Sequence, residues 1–238
     1  MRHFVLPLTA ALAAAPAVAA EVSIQVQGPV AEITATETVQ SEPDQATVGA
    51  GVTNRAPTAV QAMRDNAAKM ERVLARLASL GIPRRDVQTS GVNLNPQYRY
   101  SNTAPPVFLG YDVTNQVSVI LRDVDKVGPT LDALVAAGAN NVNGPFFSRD
   151  DDKAQRAAAR EAAFKSAEEQ ARAYARMAGF AGIRLLAVEE TLQRGGPIPF
   201  DVMNREAIVV TGAAKDTPIE PGRVGTTIQL TAKYEMTR

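Results

Sequence analysis

Gly110-Tyr111-Asp112-Val113-Thr114-Asn115-Gln116-Val117-Ser118-Val119-Ile120-Leu121 decides the fold class. Tyr111, Val113, Val117, Val119 and Leu121 fall on one face, while Asp112, Thr114, Gln116 and Ser118 fall on the other. That period of two predicts a strand with one buried side. On either side of it the period changes. Upstream, apolar Val60, Met63, Ala67, Met70, Leu74 and Leu77 recur at spacings of three and four, which predicts a helix packed by that stripe. Thr58 with Gln61 opens it as a capping box, and Gly81 with Pro83 closes it. Downstream, Val127, Leu131, Leu134 and Val135 predict a second helix opened by Asp123 or Asp125, and a long third helix runs from Asp150–Asp152 to about Ala178. Its expected inner stripe is Ala157, Phe164, Ala167, Ala171, Tyr174 and Ala178. The acidic run suits the positive end of the helix, and one of its carboxylates can cap it.

Further strands are expected over the segments 22–52 and 87–100, around Phe146, over 183–188 and over 228–236. Val92 and Leu94 are expected to be buried, and Gly49 and Gly51 to leave room for a crossing helix. The pattern of strands and helices predicts an α+β fold of two helix-on-antiparallel or mixed-sheet modules. The middle module is ferredoxin-like, inserted between the N-terminal unit and the C-terminal strand. The expected boundaries are 1–20 for a signal peptide, 21–106 plus 223–238 for the first module, 107–191 for the inserted one, and 192–222 for a Gly/Pro-rich loop region.

The first twenty residues read as an export signal: Arg2 and His3 are basic, Phe4 to Leu12 are mostly apolar, and Ala17-Val18-Ala19 offers a small-x-small cleavage pattern before Ala20 or Glu21. The apolar run is shorter than the roughly 20 residues that cross a bilayer. The expectation is therefore a periplasmic, outer-membrane-associated or secreted protein with no transmembrane segment after cleavage. The chain has no cysteine, and its one histidine is His3, inside the expected signal. After cleavage, zinc sites of His and Cys, Ser-His-Asp and Cys-His nucleophilic machinery, thiol redox chemistry and histidine pH switching all lack their residues. The 25 basic and 25 acidic residues balance, and Trp is absent, so no nucleic-acid groove is expected.

Carboxylate chemistry stays open. Asp150-Asp151-Asp152 lacks the donor spacing and turn glycine of a calcium loop, so capping and solubility are the expected roles. Glu189-Glu190 has no second carboxylate placed opposite it for acid–base work. No catalytic, metal or cofactor residue is assigned, and no cofactor is expected. The candidate interface is aromatic: Tyr98, Tyr100, Phe108 and Tyr111 flank a Pro-containing loop, and Phe146, Phe147 and Phe200 extend the same surface. Two functions follow. The first is a noncatalytic envelope protein that acts through homo-oligomeric assembly or contact with other envelope proteins. The alternative is a small-molecule or divalent-metal binding protein or enzyme that uses Asp/Glu and Tyr.

Several stretches together resemble the SIMPL-domain (DUF541) family. They are Ser41-Glu42-Pro43-Asp44-Gln45-Ala46, the run from Val87 to Tyr98, the strand from Gly110 to Val119, the alanine-rich helix leading into Ile183–Glu190, and the strand from Ile228 to Tyr234. The resemblance implies an exported two-part α+β protein, in some members a component of large ring- or barrel-like homo-oligomers, with a role in envelope physiology or oxidative-stress tolerance. It implies no agreed catalytic residue.

Overall fold

The computed structural model describes residues 25–197 and 217–238. The expected signal, with His3 and its cleavage positions, lies outside the described residues, as do Phe200 and most of the Gly/Pro-rich loop region. Seven strands and three helices follow in the order β1 (Val30–Ser41), β2 (Gln45–Ala56), α1 (Ala59–Ser79), β3 (Val87–Arg99), β4 (Val107–Leu121), α2 (Val127–Ala136), β5 (Asn141–Ser148), α3 (Lys153–Met177), β6 (Gly182–Pro197) and β7 (Val224–Thr237). They form two antiparallel sheets, β1-β7-β6 and β3-β4-β2-β5. This is the expected α+β class.

The four-stranded sheet is ferredoxin-like. β2 and β3 run parallel with β4 antiparallel between them, while β4 and β5 run parallel with β2 between them. This module spans β2 to β5 and is inserted between β1 and α3. Its boundaries are not those expected: β2, α1 and β3 belong to it, and α3 and β6 belong to the outer module. Periodicity sets which face of a strand is buried, but the pairing partner depends on contacts distant in sequence. The outer module repeats the split pattern, with β1 and β6 parallel and β7 between them. The terminal strand β7 pairs with β1 on one side and β6 on the other.

Each sheet buries one face under helices. Ala46, Val48, Ala50 and Val52 of β2 and Val117, Val119 and Leu121 of β4 meet Met70, Val73 and Leu77 of α1 and Val127, Leu131 and Leu134 of α2. In the outer module, Ala159, Ala163, Ala167 and Ala171 of α3 lie on Ile33, Ala35, Ile228, Leu230, Ala232 and Tyr234. This alanine column corrects the expected stripe: Ala167 and Ala171 are in it, but Tyr174 is half-exposed. Small residues every fourth position let the helix backbone approach the sheet closely. Gly49 and Gly51 face neighbouring strands, not a helix. A Cβ on Gly51 would stand 2.6 Å from Gln116 Cγ, and one on Gly49 would stand 3.2 Å from Asn143 Cβ.

Local signals close the elements. Thr58 Oγ1 accepts the Gln61 N–H at 3.2 Å, and Gly81 takes φ +78° past the end of α1. Asp151, rather than Asp152, accepts the Lys153 N–H at the start of α3. β6 continues through the expected loop as far as Pro197, paired to β7.

Candidate functional site

The sequence from Val92 to Tyr100 alternates V-N-L-N-P-Q-Y-R-Y, and β3 is an edge strand. Its pairing with β4 places Leu94 opposite Val113, Pro96 opposite Tyr111 and Tyr98 opposite Phe108, so these residues share one face. Asn93, Asn95 and Gln97 oppose Thr114, Asp112 and Gly110 on the other face. There Asp112 receives both Nε and Nη2 of Arg55, at 2.6 and 2.8 Å. That guanidinium holds the Asp112 carboxyl below the usual carboxylate range.

β2 ends at Ala56, opposite Tyr111, so the hairpin continues beyond it as two strands. Gly110 sits at the point of departure with φ +128°, and a Cβ there would lie 2.6 Å from the Ala56 carbonyl oxygen. The register shifts between Gln97 and Tyr98, leaving Leu109 as the extra residue. On the overhang the rings form a chain. Tyr98 stands 6.3 Å from Tyr100 and 5.5 Å from Phe108, and Phe108 stands 5.3 Å from Tyr111, the last two contacts being edge-on.

The structure therefore brings four of the seven candidate residues together and separates the others. Phe146 is exposed on β5, at the opposite edge of the same sheet. Phe147 is buried in the core with Ala46 and Val48, because neighbouring strand residues point to opposite faces. Phe200 lies outside the described residues.

Sequence reading missed the aliphatic extent of this surface. Val92 and Leu94, expected to be buried, are 48% and 40% exposed. On α1 the expected stripe divides in two. Met70 and Leu77 pack on the sheet with Ala62, Asn66 and Val73, while Val60, Met63, Ala67 and Leu74 remain on an exposed flank. That flank faces β3, since Leu74 and Ala78 line a cavity of about 430 Å³ with Val87 and Thr89. The missed signal was the width of the apolar arc on α1, broader than one sheet contact covers.

Several acidic groups are held by cations or N–H groups. Arg122 binds both oxygens of buried Asp86 at 3.1 Å and reaches Asp150 at 3.0 Å, so part of the acidic run closes the ferredoxin-like module. That hydrogen bonding lowers the Asp86 pKa and raises that of Arg122. Asp152 pairs with Arg156 at 2.7 Å, and Glu190 with Arg160 at 2.5 Å. Glu235 is buried and takes Arg184 together with the N–H groups of Gln27 and Gly28. The Arg184 guanidinium first, then the Gln27 N–H, hold its carboxyl below the ordinary range. Among the described residues, no three of His, Cys, Asp and Glu come together where they could hold a metal ion, and no helix is long and apolar enough to cross a membrane.

Two nested split-βαβ units with an exposed aromatic hairpin define a two-module α+β protein. The chain belongs to the SIMPL family, described as "Protein of unknown function (DUF541)", whose model matches residues 31–234. It is 30% identical over 227 residues to the 26 kDa periplasmic immunogenic protein of Brucella melitensis, covering 93% of this chain and 90% of that protein. It is also 27% identical over 162 residues to the uncharacterized protein YggE of Escherichia coli K12, covering 68% of this chain and 65% of YggE.

Proposed function

We propose that this chain is an exported periplasmic protein that acts without catalysis, through homo-oligomeric assembly or contact with other envelope proteins, and that the β3–β4 hairpin is its contact surface. The observation that carries this reading is the uncovered aromatic face of Tyr98, Tyr100 and Phe108 on a two-stranded overhang. Two strands alone are marginal in water, and a contiguous apolar patch held out from the body suits a partner. A relative named as periplasmic and the signal-like start support the location. The pairing of Asp86, Asp150, Asp152, Glu190 and Glu235 supports structural roles for these acids. The setting in oxidative-stress tolerance is part of the proposal and rests on the family resemblance.

Light scattering on the purified mature protein tests the reading. The mass should exceed that of one chain, and Tyr98→Ser with Phe108→Ser should reduce it to one chain with circular dichroism unchanged. A wild-type monomer at working concentration, or an assembly indifferent to both substitutions, would contradict it.

A further inference from the structure

Where α1 ends, the chain builds a small recess beside the core. α1 buries Val73 and Leu77 against β2 and β4, and β3 lies outside β4 at the sheet edge. The Leu74 and Ala78 side of the helix therefore meets β3 across the cavity of about 430 Å³. Past the helix, the Gly81 N–H donates to the Ala78 carbonyl and the Ile82 N–H to the Leu77 carbonyl, at 3.0 and 3.2 Å. This cap folds Ile82 back onto the last turn beside Leu77, where it walls one end of the cavity. Pro83 then opens a short turn that brings Arg84 to the same end. Val87 and Thr89, alternate residues of β3, share the opposite wall, and buried Leu77 and Val117 lie beneath.

We infer that this cavity binds one single-chain amphiphile with an anionic head, a free medium-chain fatty acid, whose tail lies on Leu77 and Val117 and whose carboxylate meets Arg84. Among the described residues that line the cavity, Arg84 carries the one charge and Thr89 the one side-chain hydroxyl, and the rest are aliphatic. Both polar residues are exposed, so they stand at the rim. Asp86, two positions on, is held by Arg122, and no carboxylate among the described residues pairs with Arg84. A cation beside apolar walls is complementary to an anion carried on a hydrocarbon tail. Water in such a space finds few polar partners, so the tail displaces it favourably. The volume lies at the low end of the roughly 300–1,000 Å³ of small-molecule sites, which suits one chain and not the paired chains of a phospholipid. Tyr98, Tyr100 and Phe108 do not line the cavity, so the site is separate from the proposed contact surface and does not depend on assembly.

Calorimetric titration of the mature protein with decanoate tests the site, and decyltrimethylammonium, with the same tail and the opposite charge, is the control. Decanoate should bind once per chain, about tenfold more tightly than the cation. Along octanoate, decanoate and dodecanoate, affinity should rise about fourfold per buried CH2 and level off once the tail outgrows the cavity. Arg84→Glu should weaken decanoate about tenfold and reverse the preference between the two heads. Ala78→Phe, at an exposed helix position, should block the tail with circular dichroism unchanged. Arg85→Glu, on the neighbouring cavity with Asp86 and Arg122, should leave decanoate binding intact. No saturable binding, equal affinity for both heads, or loss through Arg85→Glu instead of Arg84→Glu overturns the inference. Tighter binding to phosphatidylglycerol vesicles than to decanoate overturns the free acid as the ligand.

Discussion

Asn66 offers the sharpest test of how α1 is seated. The two hydrogens of its buried Nδ2 are shared among the Val52 carbonyl at 2.9 Å, Asn54 Oδ1 at 2.9 Å and the Val113 carbonyl at 3.2 Å, tying the helix to β2 and β4 at once. Asn66→Ala removes the donor and leaves a gap, at about 1 kcal/mol net per hydrogen bond plus lost packing, so about 3 kcal/mol in all. For a chain of this size that is about 6–12 °C in Tm. Asn66→Asp keeps the shape and replaces the donor with an oxygen facing three acceptors. Burial and those oxygens disfavour the charged carboxylate, so its folded pKa is raised above its unfolded value near 4. The neutral form, dominant below that value, can still donate one bond. The added instability grows as pH rises from the unfolded pKa to the folded one, at about 1.4 kcal/mol per unit, and then levels off. Urea unfolding at pH 5 and pH 7 reads this directly. Asn66→Ala should lie a constant distance below wild type, while Asn66→Asp should fall further behind at pH 7. An Asn66→Asp protein as stable as wild type at both values would refute the role given to this amide.

Three further outcomes follow from buried groups elsewhere. Tyr234 is buried against the α3 alanines, its hydroxyl has no hydrogen-bond partner among the described residues, and burial raises its pKa, so Tyr234→Phe should leave Tm unchanged or higher. A clear drop in a thermal scan would mean that the hydroxyl is bonded. Ala167 is fully buried where α3 meets the sheet, so Ala167→Leu should cost about 1–3 kcal/mol by overpacking, read in urea unfolding. A neutral result would show a looser contact. Glu235 has a lowered pKa, so its contribution is full above the unfolded carboxylate's pKa and is lost as pH falls through the lowered folded value. Wild type should therefore lose more stability than Glu235→Gln on acidification across that window, and parallel pH profiles would count against the clamp.

The α+β class and nearly every element were legible because their periods are clean: the strand from Gly110 to Leu121, the helix after Thr58 and the alanine-rich helix after Asp152. The module boundaries were not legible. Whether the strand from Gln45 to Ala56 pairs with the terminal strand or with the Gly110 strand depends on partners far along the chain. The α1 stripe shows a second limit. Val60, Met63, Met70, Leu74 and Leu77 form one arc in sequence, yet only part of it meets the sheet, because intrachain packing and an uncovered flank write the same pattern. The aromatic part of the candidate surface was visible from Tyr98, Tyr100, Phe108 and Tyr111. Its aliphatic part was hidden because Val92 and Leu94 read as core, yet they stand exposed on an edge strand. The clamps at Asp86 and Glu235 join residues 36 to 208 positions apart and leave no local signature.

Amide hydrogen exchange at low and high protein concentration tests whether the β3–β4 hairpin forms the contact surface. The amides of β3 from Val92 to Arg99 and those of the hairpin from Val107 to Gly110 should exchange more slowly as concentration rises, while those of the outer sheet stay unchanged. Protection that is independent of concentration over β3, or that appears on the outer module instead, would contradict it.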